Sequence, residues 1–346
     1  MTKISSGAIQ PKIFQTDSLK VGDPSTKKTS LSKTLKAIFS KGSAHFPQPK
    51  NSYSLIRTPP QETPKLSIMP TKPTYFQERS ADDITQKDRE TLALDANIAA
   101  YPYHQNIEKL TVGANKKESW DLARNLALDA GKGADLSTKG SKGFIYDKKS
   151  GLTAYILHNP KSKEVRLVFG GTSSGKHTGG IIRRSVLNGA FSLPQWLGNY
   201  KNAISNKIPK SYVQAKKLTN IVKAKMESDP NYQGYTLKLS GHSKGAGEAA
   251  YAALSQDKPL QALCFSSAQL GSKMREDISD TNKEKAPECI SHYAIQGDIV
   301  PNMDVLRKHL GHLGTLTTIP AKSPLDGPLD RHDKFHQHIS SFAGLK

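Results

Sequence analysis

The stretch YTLKLSGHSKGAGEAAYAAL, Tyr235 to Leu254, decides how the rest of the chain is read. It reads as a strand, a sharp glycine-flanked turn and a helix. At the apex sits Ser243, within Gly241-His242-Ser243-Lys244-Gly245, a G-x-S-x-G pattern. Such a turn lifts a serine hydroxyl above a sheet, and small residues on both sides let strand and helix approach closely. The Ala-rich helix that follows aims backbone N–H groups and the positive end of its dipole at the same place. A bare G-x-S-x-G is common by chance. One preceded by a strand pattern and followed by a helix pattern is far less so.

The wider chain must then supply what a nucleophilic serine needs. Its 346 residues carry a formal net charge of +20 and 36% hydrophobic residues, a low share for a fully packed chain. Such charge favours anionic surfaces or acidic partners. No apolar run approaches the ~20 residues of a membrane span. The start, MTKISSGAIQPKIFQ, lacks the apolar core of a signal peptide. Cys264 and Cys289 lie in apolar segments and are expected as buried free thiols, and no Cys/His metal spacing is present.

Residues 1–79 form a compositional unit rich in Ser, Thr, Lys, Pro and Gln and poor in acids, which predicts disorder. Within it, Leu31, Leu35, Ile38 and Phe39 fall at helical spacing among lysines. Residues 30–42 therefore fit a short basic amphipathic helix on a membrane, against the plainer reading of a solvated tail. From Ser80 the pattern changes to a folded domain, residues 80–346. SADDITQKDRETLALDANIAA opens as a capped helix, and ESWDLARNLALDAG predicts a second helix stopped by Gly131. KGFIYD, LTAYILH and EVRLVFGG read as a strand meander, and SYVQAKKLTNIVKAKMES as an amphipathic helix feeding the elbow strand. That β-α-β order implies a parallel sheet and an α/β fold. LQALCFSS, ECISHYAIQGD and LGTLTTIP follow as strands, and DRHDKFHQHISSF as a closing helix or loop.

A serine nucleophile needs a base, a group to orient the base, and an oxyanion hole. Downstream of Ser243, Asp298 ends a strand pattern in the loop Gln296-Gly297-Asp298-Ile299-Val300-Pro301, where catalytic groups of such sheets gather. A turn or cap aspartate is the plainer alternative. Four histidines compete for the base: His312, His332, His336 and His338. His332 follows a Pro/Gly loop that could carry it over the sheet and is favoured; His336 and His338 stay open. The oxyanion donors expected are the backbone N–H groups of Lys244 and of the loop near Thr172.

From about Ser80 onward the chain resembles the class 3 lipases, the fungal triacylglycerol lipase and plant phospholipase A1 family of α/β-hydrolases. LVFGGTSS looks like the family's oxyanion strand and SGHSKGAGEAA its elbow. GDIVP looks like the acid motif D-x-V-P, GHLGTLTTI the strand before the histidine loop, and RHDKF the plant R-H-D segment. The resemblance implies a triad of Ser243, Asp298 and His332, oxyanion groups at Thr172 and Lys244, and a lid over Gly179–Trp196. It implies a phospholipase A or lipase with no metal or cofactor, acting on phospholipid or another lipid ester. Lys244 in place of the usual Leu, Gly170 in place of an Arg and a short Asp-to-His interval depart from the pattern. With Arg183 and Arg184 near the lid, an anionic membrane surface is the expected partner. Lys244 beside the nucleophile could attract an anionic headgroup or lay its stem in helix packing. The signal-less Ser/Thr/Lys-rich N-terminus resembles that of bacterial effectors exported by a type III-like or type IV-like system. Residues 1–25 would then be the export signal, and a secretion chaperone or host protein could bind the N-terminal region.

Three competing readings remain. Gly170–His177 nearly matches a phosphate-binding G-x-x-x-x-G-K-[ST] loop, but His177 stands where a metal-binding hydroxyl is required. Nucleic-acid binding is suggested by charge alone, with no recognition motif. A catalytically silent membrane-binding or adaptor protein on the same scaffold would keep the fold without the chemistry.

Overall fold

The computed structural model describes residues 75–110, 119–171, 207–301 and 310–345. The amphipathic segment 30–42, Thr172 and the lid stretch Gly179–Trp196, with Arg183 and Arg184, lie outside the described residues. In chain order the strands are β1 (Phe76–Arg79), β2 (Asp121–Leu122), β3 (Ser137–Lys139), β4 (Phe144–Asp147), β5 (Leu152–Asn159) and β6 (Glu164–Phe169). Then follow β7 (Thr236–His242), β8 (Gln261–Phe265), β9 (Leu270–Gly271), β10 (Ile290–Ile295), β11 (Leu310–Gly311) and β12 (Gly314–Ile319). The longer helices are α1 (Gln86–His104), α2 (Arg124–Gly133), α3 (Lys210–Ser228) and α4 (Lys244–Leu254). Two short ones, α5 (Pro328–Asp333) and α6 (Phe335–Phe342), stand near the C-terminus.

Ten strands make one sheet in the order β1-β12-β10-β8-β7-β6-β5-β4-β3, with β2 on the far end of β5; β9 and β11 pair separately. The half from β1 to β6 is parallel, and β5, β4 and β3 form an antiparallel meander. This is an α/β-hydrolase arrangement: a central, mostly parallel sheet with the serine turn at the C-terminal end of a middle strand. Alternation along β6 shows how the faces are used. Val165, Leu167 and Phe169 join α2, α3 and α4 in one core, while Val168 joins α1 in another. A further cluster seats α1 against α6 through Ala96, Ala99, Phe335 and Ile339, over Phe265 and Ile295 of the sheet. Burying a large side chain such as Phe265 stabilises the fold by roughly 1.5–3 kcal/mol.

Local signals explain the helix starts. Thr85 caps α1 by accepting the Asp88 N–H at 3.2 Å, and its hydroxyl donates back to the Asp88 carboxylate at 2.7 Å. The second helix departs from its sequence pattern: α2 begins at Arg124 rather than near Glu118, because Trp120 turns into the core and Asp121–Leu122 pair with β5. The sheet also starts before the compositional boundary at Ser80, since Phe76–Arg79 pair in parallel with β12. Cys264 is buried and free as expected, but Cys289 is only half-buried, because it ends a short helical turn just ahead of β10. No helix among the described residues is long and apolar enough to cross a membrane.

Candidate active site

Ser243 joins β7 to α4 with φ 59° and ψ −125°, a strained conformation for a residue with a side chain. The two glycines permit it. A Cβ on Gly241 would meet the Gly245 backbone at 2.5 Å, and one on Gly245 would strike the Phe169 carbonyl of β6. The turn is also pinned from the next strand. The Ser243 N–H donates to the Phe265 carbonyl at 3.0 Å, and the Ala268 N–H donates to the Ser243 carbonyl at 3.1 Å. Lys244 opens α4, so its N–H is one of those that a helix leaves without an internal acceptor.

The structure brings three of the sequence candidates together. His332 Nε2 lies 3.0 Å from Ser243 Oγ, and His332 Nδ1 lies 3.0 and 3.2 Å from the two Asp298 oxygens. All three residues are buried, Asp298 most completely. Asp298 follows the C-terminal end of β10, in a turn with Gly297 at φ 80°. Its carboxylate accepts the Val300 N–H at 3.0 Å. Because Asp298 can only accept as a carboxylate, His332 Nδ1 carries the hydrogen and Nε2 is left to accept from the Ser243 hydroxyl. His332 is carried by α5, whose Pro328 suits the first turn.

The other histidines serve elsewhere. His338 Nδ1 accepts the Lys322 N–H at 2.9 Å, and the His336 ring sets its edge against Phe335. His312 Nε2 faces the Pro301 carbonyl at 3.0 Å, closing the far side of the Asp298 loop.

Four residues that the sequence did not single out by role complete the surroundings. Arg331 donates to the Gln296 carbonyl and the Pro324 carbonyl, each at 3.1 Å, and so clasps the Asp298 turn to the loop ahead of α5. His242 stacks flat on Phe335, centroids 4.2 Å apart, and leans on the His332 ring. Tyr103, near the end of α1, reaches His242 Nδ1 at 2.8 Å. Burial raises the pKa of that phenol, and burial together with the neighbouring His332 pushes the His242 pKa well below the usual imidazole range. Glu248, wholly buried, meets Lys244 Nζ at 2.5 Å, and the same ammonium donates to the Gly151 carbonyl at 3.2 Å. Lys244 is therefore committed to its own helix and to the β4–β5 turn rather than turned toward a headgroup. An acid four residues after a lysine on one helix was the signal for this pair. Nothing in the sequence near Tyr103 signals its role.

No family model matches the chain, and no curated protein matches it. Solved structures with a similar chain path include the Rhizomucor miehei lipase in its propeptide complex, 17% identical over 69% of this chain and 71% of that one, with a TM-score of 0.40. A lipase from Rhizopus microsporus var. chinensis is 15% identical over 68% and 75%, and a lipase from Yarrowia lipolytica 15% over 71% and 83%, both with TM-scores of 0.40. At these TM-scores the likenesses carry no weight for the site. The sheet order and the Ser243 turn stand by themselves.

Proposed function

We propose that this protein is a serine hydrolase that cleaves carboxylic ester bonds of lipids, with phospholipids as the substrate class. The observation that carries the reading is the Ser243–His332–Asp298 chain of hydrogen bonds, 3.0 Å at each link, at the end of a parallel sheet. Ser243 Oγ attacks the acyl carbonyl while His332 Nε2 takes its proton. Asp298 holds the imidazolium that forms. The negative oxygen is held by the Lys244 N–H and by a donor from the loop at Thr172, worth about 3 kcal/mol each in the transition state. The carbonyl re-forms as His332 returns the proton to the leaving alcohol. Water then repeats the sequence on the acyl-enzyme and releases the fatty acid.

The lipid class rests on the motif resemblance and on apolar side chains exposed near Asp298 and His332 in the chain. Ile299, Leu325 and Leu329, on the segments that carry Asp298 and His332, are exposed, Leu325 to 92%. The net charge of +20 favours an anionic surface. An adaptor without chemistry would have no need of a strained serine aligned on a histidine and an aspartate. On this reading the basic N-terminal segment directs a secreted enzyme to membranes of another cell.

The test is release of fatty acid from mixed vesicles of neutral and anionic phospholipid by the full chain and by Ser243→Ala. Wild type should release acid in proportion to enzyme, and the variant should fall to background, a loss of about 10⁶. Equal background release by both overturns the proposal.

A further inference from the structure

The histidine of the G-H-S-x-G turn has no role in the mechanism above, yet both of its ring nitrogens are engaged and its ring is stacked on Phe335. His242 Nε2 lies 3.0 Å from the backbone carbonyl of His332. A carbonyl can only accept, so Nε2 carries the hydrogen. In a neutral ring Nδ1 must then accept, and the group 2.8 Å from it is the Tyr103 hydroxyl. That hydroxyl oxygen in turn accepts the Gly171 N–H at 2.9 Å. Every donor in the chain Gly171 N–H, Tyr103 O–H, His242 Nδ1 is matched, and one tautomer alone satisfies it.

The three anchored points are not equivalent parts of the fold. Gly171 lies two residues beyond the end of β6, His242 is the residue before the nucleophile, and His332 is the base. We infer that Tyr103 and His242 are positioning residues: a neutral hydrogen-bonded brace that sets Gly171, packed against Ser243, and the base helix in register with the nucleophile. The inference rests on the hydrolase reading. Neutrality matters because a cationic His242 would lose its acceptor at Nδ1 and place a charge against the His332 ring, whose centroid is 4.6 Å away. Burial and His332 itself hold the imidazole neutral.

The test separates hydrogen bonding from packing and from failure of the reading itself. Turnover and KM on a soluble short-chain ester, thermal unfolding, and the rate of Ser243 labelling by a fluorophosphonate are measured for wild type, Tyr103→Phe, His242→Gln, His242→Phe and Ser243→Ala. The full chain is used throughout. Phe at 242 keeps a ring over Phe335 and removes both hydrogen bonds. Gln there gives up the ring and keeps a donor for the His332 carbonyl. The brace predicts that Tyr103→Phe and His242→Phe each lower kcat about tenfold with KM within about twofold, because small misplacements of reacting groups fall on turnover. Labelling should slow in parallel, and His242→Gln should retain more activity than His242→Phe. Full turnover in Tyr103→Phe, or His242→Phe outperforming His242→Gln, overturns the brace. If the His242 variants do not fold, Tyr103→Phe decides alone. A wild type no better than Ser243→Ala condemns the hydrolase reading instead.

Discussion

The two halves of the site are held in place by different means. Ser243 is fixed by backbone against backbone: glycines at 241 and 245 let α4 touch β6 and β7, and main-chain hydrogen bonds with Phe265 of β8 and Ala268 just beyond it close the turn. Asp298 and His332 sit on a turn and a six-residue helix; the turn has its own main-chain bond, Asp298 N–H to the Ile295 carbonyl, but across the site Arg331 and His242 hold turn and helix by their side chains. Main-chain positioning is rigid and unforgiving, because nothing can give way without shifting a strand. Side-chain positioning can fail by degrees.

The sharpest way to break the contrast is at Gly241. Gly241→Ala should drive a methyl group into the Gly245 carbonyl and carbon, each at 2.5 Å, with no flexible side chain to yield. Overpacking costs up to about 3 kcal/mol where side chains can adjust, and more is expected against backbone. Activity should vanish together with soluble folded protein, read by thermal unfolding of the purified fraction. A variant that folds with wild-type stability would show that the turn relaxes and the contrast is wrong.

On the other half, Arg331→Met should be milder. It removes two hydrogen bonds from a guanidinium, worth roughly 1.5–3 kcal/mol for charged groups when net contributions are taken. The Asp298 turn should then wander while the elbow stays intact. Ester turnover is expected to drop about tenfold, short of the ~100-fold that a 1 Å misplacement can cost. Ser243 should still be labelled by a small fluorophosphonate. Complete loss of labelling would mean that the clasp also holds the elbow.

This division also explains what could be read in the sequence. The elbow was legible because its determinants are local: a strand pattern, two glycines and a serine within five residues, then a run of small residues. The meander from Phe144 to Phe169 followed from short turns between apolar runs, and β8, β10 and β12 were legible as strands from their apolar runs. Asp298 was legible as the end of a strand, and His332 only as the favoured member of a set. Choosing among His332, His336 and His338 depends on where a helix of six residues lands, which no local pattern encodes. Tyr103 was invisible for the same reason: it lies 139 residues before His242 and meets it only after the sheet has formed. The edge strand Phe76–Arg79 was missed because it is mostly exposed and carries one apolar residue in four.

Lys244 offers the finest test, since it was the one oddity of the elbow and its charge suggested contact with an anionic substrate. The structure gives it a different occupation. Its partner Glu248 is fully buried, and desolvation raises the carboxyl pKa while Lys244 opposes the rise. Removing Lys244 alone should therefore hurt: Lys244→Leu leaves a buried acid without its cation, a loss of about 3–5 kcal/mol for a broken buried pair. Removing both should not, because two leucines of similar bulk need no desolvation, and such exchanges are often neutral or stabilising by about 1–4 kcal/mol. The pair also leaves a mark on pH dependence. A carboxyl whose folded pKa lies above its unfolded value binds protons more tightly when folded, so its contribution is complete below the ordinary glutamate range. It is lost as pH rises through the raised folded value. Wild type should show that decline in urea-unfolding midpoints, and Lys244→Leu/Glu248→Leu should not. Turnover of a neutral short-chain ester by the double variant should stay within about twofold of wild type, since the proposed mechanism uses the Lys244 backbone N–H and not its side chain. If turnover of a neutral ester collapses while the fold survives, Lys244 Nζ takes part in the chemistry and the elbow is not held by main chain alone.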